Sequence, residues 1–183
     1  MKNLYFRHQA AIALSLVLLC LTVSAQQPQL RFEQLPNFAK VNDRLYRGGQ
    51  PKKKDGIKKL ADLGIKTIVN LRGESDETKA EESEAKSLGM QFFNIPMSSA
   101  GRPTEEQVKR IFEIIESKEN GPVFIHCRRG SDRTGVIVAI FRIKFDGWTD
   151  DQALAEAKRY GMGFIQFAKR DYIKDYFTAM PKH

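Results

Sequence analysis

What most constrains the fold of this chain is an alternation. Three short apolar runs rich in β-branched and aromatic residues, "IKTIVNL" (65–71), "MQFFNIPM" (90–97) and "PVFIHC" (122–127), are separated by segments of helical length. Such runs read as strands buried on both faces, the kind found in parallel sheets covered by helices. "KKDGIKKLADLG" (53–64) carries apolar Ile57, Leu60, Ala61 and Leu63 and stops at Gly64, while "ETKAEESEAKSLG" (77–89) is a polar helix that stops at Gly89. "TEEQVKRIFEIIES" (104–117) opens with a capping box, Thr104 with Gln107, and gathers Val108, Ile111, Phe112 and Ile115 on one face. Beyond the third run, helical patterns continue through residues 133–147, through 149–161 with a second capping box of Thr149 and Gln152, and through about 164–177. With a short strand and turn in "RLYRGG" (44–49), the expected class is α/β: a mostly parallel central sheet flanked by helices, joined by right-handed crossovers. Sites in such sheets form at the C-terminal ends of the strands, and Cys127 falls at one of them.

Residues 1–25 have a basic start (Lys2, Arg7), an apolar run from Ala10 to Val23 and small residues at Ser24 and Ala25. This is the build of a signal peptide, and the run is short for a membrane span. The expected organisation is a signal peptide over 1–25, a loose lead-in over 26–37 and one domain over 38–183. The expected location is the periplasm or the exterior, or a membrane anchor if the segment stays uncleaved. Lipidation at Cys20 would want a small residue before it, and Leu19 is not small.

Cleavage removes Cys20 and leaves Cys127 as the sole thiol, so no intramolecular disulfide can form. A lone thiol in an oxidising compartment reads as kept for chemistry, with packing as the alternative. The formal charge of +8, less the two cations lost with the leader, favours anionic partners. Nucleic acid is not among them, because the chain lacks zinc spacing, basic heptads and an aromatic-rich basic strand motif. The basic stretch "PKKKDGIKK" (51–59) reads as a solvated helix face.

The chemistry concentrates in "HCRRGSDRTG" (126–135). Five residues, Arg128 to Asp132, separate Cys127 from Arg133, short enough for the loop to curl and aim successive backbone N–H groups at one point. A strand-to-helix loop of this kind cradles an anion. Gly130 supplies the left-handed backbone the curl needs. The same field lowers a thiol from about 8.5 toward roughly 3.5 to 7.5, which makes Cys127 a thiolate nucleophile able to attack phosphorus. Arg133 can clamp two phosphoryl oxygens with its planar fork. Thr134 can donate to the departing sulfur, Ser131 lies within the cradle, and His126 orients the loop from behind. Arg128 and Arg129 add charge at the mouth. No cluster of His, Asp and Glu has metal-ligand spacing, so neither metal nor cofactor is expected.

This loop resembles the Cys-x5-Arg motif of the cysteine-dependent tyrosine and dual-specificity phosphatases. "LYRGGQP" (45–51), "IKTIVNLR" (65–72) and "NIPMSSAGRPTEEQV" (94–108) resemble further landmarks of the compact dual-specificity group, over roughly residues 38–177. The chain is most similar to the atypical plant and fungal type and its bacterial relatives. The resemblance implies a single compact dual-specificity-phosphatase-like domain and a phosphocysteine intermediate.

It also implies a general acid, worth about 100- to 10,000-fold in rate. Most of the family carries an aspartate for this on an upstream loop, but here that loop, "PMSSAGRPT" (96–104), has no carboxylate. Asp132 is the preferred candidate, at a position similar to the aspartate of myotubularin-type lipid phosphatases. The alternative is that Asp132 pairs with a neighbouring arginine and braces the loop. Glu105 and Glu106 are further candidates, better suited to stabilising a helix N-terminus. Relatives of the plant and fungal type carry Lys-His where Ser131 and Asp132 stand, so their inositol pyrophosphate preference does not transfer.

Three functions follow from these residues. The first is a phosphatase of phosphotyrosine proteins, with or without phosphoserine and phosphothreonine; the second acts on phosphoinositides or inositol polyphosphates; the third is a phosphoanion-binding module without catalysis.

Overall fold

The computed structural model describes residues 31–53 and 55–181. The expected signal peptide, its cleavage point and Cys20 lie outside them. Five strands form one sheet: β1 (Ala39–Lys40), β2 (Leu45–Gly49), β3 (Thr67–Asn70), β4 (Gln91–Asn94) and β5 (Val123–Cys127), in the order β1-β2-β5-β3-β4. Pairs β2·β5, β5·β3 and β3·β4 are parallel, and only β1 runs antiparallel to its neighbour β2. The helices are α1 (Gly56–Asp62), α2 (Asp76–Ser87), α3 (Glu105–Glu116), α4 (Asp132–Asp146), α5 (Asp150–Arg159) and α6 (Phe167–Ala179).

Alternation along the strands divides the core into two layers. Val123, Ile125 and Cys127 of β5 pack with α3, α4, α5 and α6, together with Leu45, Val69 and Leu71. Phe124, on the opposite face, packs with Ile57 and Leu60 of α1, Ala85 of α2, and Ile68. Helix α4 is buried nearly all round, from Thr134 to Ile143, and leads directly out of the loop after β5. Both expected capping boxes are present: Thr104 with Gln107 begins α3, and Thr149 with Gln152 begins α5.

Three features differ from the sequence reading. Strand β1 was not expected; its turn is set by Asn42, whose Oδ1 accepts from the N–H groups of Arg44 and Leu45. The lead-in is not loose where it is described, since Leu35 is buried in the layer with α1 and α2. Helix α6 starts at Phe167 instead of about 164. Gly161 has a left-handed φ of 87°, and the Gly163 N–H is committed to Asp132, so the chain turns before it coils.

Candidate active site

The loop between β5 and α4 closes on itself because its carbonyls are tied to the outside. The Arg128 carbonyl accepts from the Gln50 N–H (3.3 Å), that of Arg129 from Asn37 Nδ2 (3.4 Å), and that of Gly130 from Arg47 Nη2 (2.6 Å). A planar trans peptide holds its C=O and the following N–H in opposite directions, so these three ties aim the N–H groups of Arg129, Gly130 and Ser131 the other way, into the curl. Gly130 has φ 74°, and a Cβ there would stand 2.3 Å from the carbonyl carbon of Gly48. Gly130 and Gly49, whose own Cβ would stand 3.1 Å from the Arg129 carbonyl, thus let the loop lie directly on β2.

Cys127 ends β5 and is nearly enclosed. Burial pushes its pKa up. The Thr134 hydroxyl, the N–H groups of Thr134 and Gly130 and the charge of Arg133 outweigh that, and the thiol lies below its ordinary value. Thr134 Oγ1 is buried and bonded to no other group, so its hydroxyl is free to turn to the sulfur whose pKa it lowers. Arg133 is oriented by a bond from Nη1 to the Leu71 carbonyl at the end of β3 (3.1 Å). Arg128 and Arg129 are exposed at the mouth, and Ser131 is buried at the N-cap of α4.

His126 lies on the other face of β5. Its Nε2 is 2.6 Å from Glu81 Oε1 of α2, both side chains buried, and its Nδ1 is 3.4 Å from the Cys127 carbonyl. It is placed behind the nucleophile, pinned through α2, where it can orient the loop but cannot reach a substrate.

Asp132 has both oxygens engaged. Oδ2 accepts from Arg129 Nη2 at 2.6 Å and Oδ1 from the Gly163 N–H at 3.0 Å. This is the bracing arrangement, and it joins the loop to the segment between α5 and α6. Handing a proton to a leaving group from Oδ2 requires Arg129 to let go. Glu105 and Glu106 occupy the first turn of α3, and Glu105 lines a groove of about 430 Å³ between α3 and α6 that includes no residue of the cradle.

Two basic residues escaped the sequence reading. Arg47 is 1% exposed, stacked 4.0 Å over the Tyr160 ring beneath the loop, and its Nε and Nη1 have no partner. Burial pushes it down to about 10, against the favourable charges of Glu156, Tyr160 and Cys127. The alternation of β2 was its signal, for Arg47 shares a face with buried Leu45. Lys169 of α6 has no exposed surface; its Nζ donates to the Ser99 carbonyl (2.8 Å) and to Gln166 Oε1 (3.0 Å). Burial lowers its pKa, and the charges of Asp132, Arg133 and Cys127 all act on it, which places the ammonium beside the cradle. Its signal was helical spacing, one turn before buried Ile173. Lys169 also holds the loop that carries an acid in most of the family.

A family model described as "DSP-PTPase phosphatase fused to NAD+ Kinase" matches residues 31–175. The chain belongs to the dual-specificity-type tyrosine phosphatase family. Among the relatives, "Dual specificity protein phosphatase TpbA" of Pseudomonas aeruginosa is 28% identical over 128 residues, 69% of this chain and 56% of TpbA, so the match spans little more than half of that protein. "Inositol diphosphatase DSP4" of Arabidopsis thaliana is 26% identical over 80% of this chain and 75% of its own length. The catalytic domain of the PP-IP phosphatase Siw14 from S. cerevisiae shares the fold, with a TM-score of 0.67 at 24% identity over 77% of this chain and 85% of that one. The Siw14 core and this chain thus share one α/β fold, which is the fold expected from the sequence.

Proposed function

We propose that this chain is a cysteine-dependent phosphatase that hydrolyses phosphate monoesters of proteins, phosphotyrosine or dual-specificity in type, through a phosphocysteine intermediate. The observation that carries this reading is the Cys127 thiol, lowered by Thr134, Gly130 and Arg133 at the base of a loop whose N–H groups are turned inward.

In the first step Cys127 Sγ attacks phosphorus in line. An S–P bond forms, the P–O bond to the leaving group breaks, and the inward N–H groups with Arg133 hold the three non-bridging oxygens. The leaving oxygen takes a proton from Asp132, released by Arg129 as substrate enters. In the second step water attacks phosphorus, its proton passes to Asp132, the S–P bond breaks and Thr134 steadies the returning thiolate. Phosphate departs. A Cys127→Ser variant is expected to release no phosphate from an aryl phosphate, while the wild-type protein does so with a chelator present. If the wild type released no more than the variant, the chain would be a phosphoanion-binding module.

Cations around the cradle favour a second substrate class. Arg128, Arg129 and Lys169 add positive charge around one cradle, which suits a multiply phosphorylated inositol or a phosphoinositide headgroup, and one relative carries the name inositol diphosphatase. Rates on a panel of phosphopeptides and inositol phosphates separate the two classes. We also propose that residues 1–25 direct export to the periplasm or beyond, on the support of their basic and apolar pattern. N-terminal sequencing of protein from fractionated cells tests this, and an intact Met1 in the cytoplasm would refute it.

A further inference from the structure

The end of the segment between α5 and α6, with the first residue of α6, carries three large apolar side chains in four residues. Phe164 is 79% exposed, Ile165 64% and Phe167 62%. The other large exposed apolar residues among those described, Leu88 and Phe145, lie far from these in sequence and are much more covered. A contiguous apolar tip of this kind marks a binding surface.

The tip is built into the mouth of the site. Gly163, just before it, donates to Asp132 of the cradle loop at 3.0 Å; Arg170 Nη1 holds the Phe164 carbonyl at 3.0 Å; and Gln166 is tied to Lys169. Gly161 packs against Ser131, with room for a Cβ only 3.1 Å from its hydroxyl. Asp132 bonds both Gly163 and Arg129, which brings this cation to the edge of the apolar tip, and Arg128 beside it in the chain is exposed as well.

We propose that this rim docks on an anionic phospholipid bilayer, with Phe164, Ile165 and Phe167 entering the acyl boundary and Arg128 and Arg129 meeting the headgroup phosphates. Protruding apolar side chains ringed by arginine are the pattern that binds such an interface, which asks for no matching pocket. Arg129 contributes less than a full charge because Asp132 pairs with it. Asp171, exposed one helical turn beyond Phe167, limits how deeply α6 can enter. Docking would hold the cradle at the level of the headgroups. That consequence rests on the phosphatase reading; the docking itself does not.

The test uses the full chain with Cys20→Ser and Cys127→Ser, and one new thiol, Ile165→Cys, carrying an environment-sensitive fluorophore. The label reads the tip itself, whatever the N-terminal segment does, and the loss of Cys127 makes the result independent of catalysis. With vesicles of phosphatidylcholine and phosphatidylserine, a blue shift and quenching by nitroxide-bearing lipid are expected at position 165. The same label on Ser83→Cys of α2 should show neither. In the otherwise native chain, Phe164→Ser, Ile165→Ser and Phe167→Ser together should keep kcat/KM on a soluble aryl phosphate. The same triple change in the Ile165→Cys reporter's place, read by a label on Ala168→Cys, should abolish the shift. A label at 165 that stays in water while the protein sediments with vesicles overturns the proposal, as does a shift produced by an added phosphoprotein but not by lipid.

Discussion

Arg47 offers the sharpest test of how the cradle is made. Replacing it with Met removes a buried cation while nearly filling its volume. The guanidinium is held at about 10 against an ordinary 12.5, so its burial costs about 3 kcal/mol. Because its folded pKa is the lower one, that cost is present at every pH below about 10 and eases only above it. The substitution also forfeits the charged bond to the Gly130 carbonyl, about 1.5–3 kcal/mol, and the contact with the Tyr160 ring, about 1–2 kcal/mol. Gain and loss largely offset, and global stability should move only between about 0.5 kcal/mol gained and about 2 kcal/mol lost. Activity should not be spared. Without its outward tie the peptide between Gly130 and Ser131 can rotate, and losing about 1.5–3 kcal/mol of positioned donation lowers kcat/KM by about 10- to 150-fold. The thiol should also rise, since a positive charge near Cys127 is gone. Steady-state hydrolysis of an aryl phosphate, a melting curve and the pH dependence of iodoacetamide alkylation measure the three effects. Wild-type kcat/KM would refute the inward aiming of the donors, and a collapse of the melting temperature alongside activity would make Arg47 a residue of the core.

Further outcomes are expected at the loop itself. Asp132→Asn should lower kcat on an ester with a poor leaving group by about 100-fold or more and leave one with a good leaving group little changed; equal losses would assign Asp132 to bracing alone. Alkylation of Cys127 should fall away only as pH drops through a midpoint below that of an ordinary thiol, and Thr134→Ala should raise that midpoint; an unmoved midpoint would separate Thr134 from the sulfur. Gly130→Ala places a Cβ against the Gly48 backbone and a non-glycine residue at φ 74°, so kcat/KM should drop by about 100-fold or more while circular dichroism shows a folded chain. Retained activity would mean that β2 yields easily.

The sheet and its helices were legible because burial on two faces leaves an unbroken apolar run, as in "PVFIHC", and because capping boxes mark helix starts by spacing alone. The cradle was legible for a related reason: a nucleophile, a glycine and an arginine at fixed intervals need no distant residue to be recognised. What stayed hidden depends on tertiary partners. Strand β1 is two residues long and exists through an Asn42 turn. Arg47 and Lys169 are charged, and charge alone argues for the surface until the layers are known to close over them. Asp132 could be named from the sequence, but its bonds to Arg129 and Gly163 come from a partner three residues on one side and a turn thirty-one residues away.

The outward ties on the carbonyls of 128, 129 and 130 have one more consequence. In the proposed reaction backbone N–H groups grip the phosphoryl group with Arg133, and Gln50, Asn37 and Arg47 fix that backbone from elsewhere in the chain. The exposed side chain at 128 is therefore released from holding the anion, while Arg129 stays committed to Asp132. Position 128 can be exchanged, and the charge at the entrance with it, without rebuilding the machinery underneath.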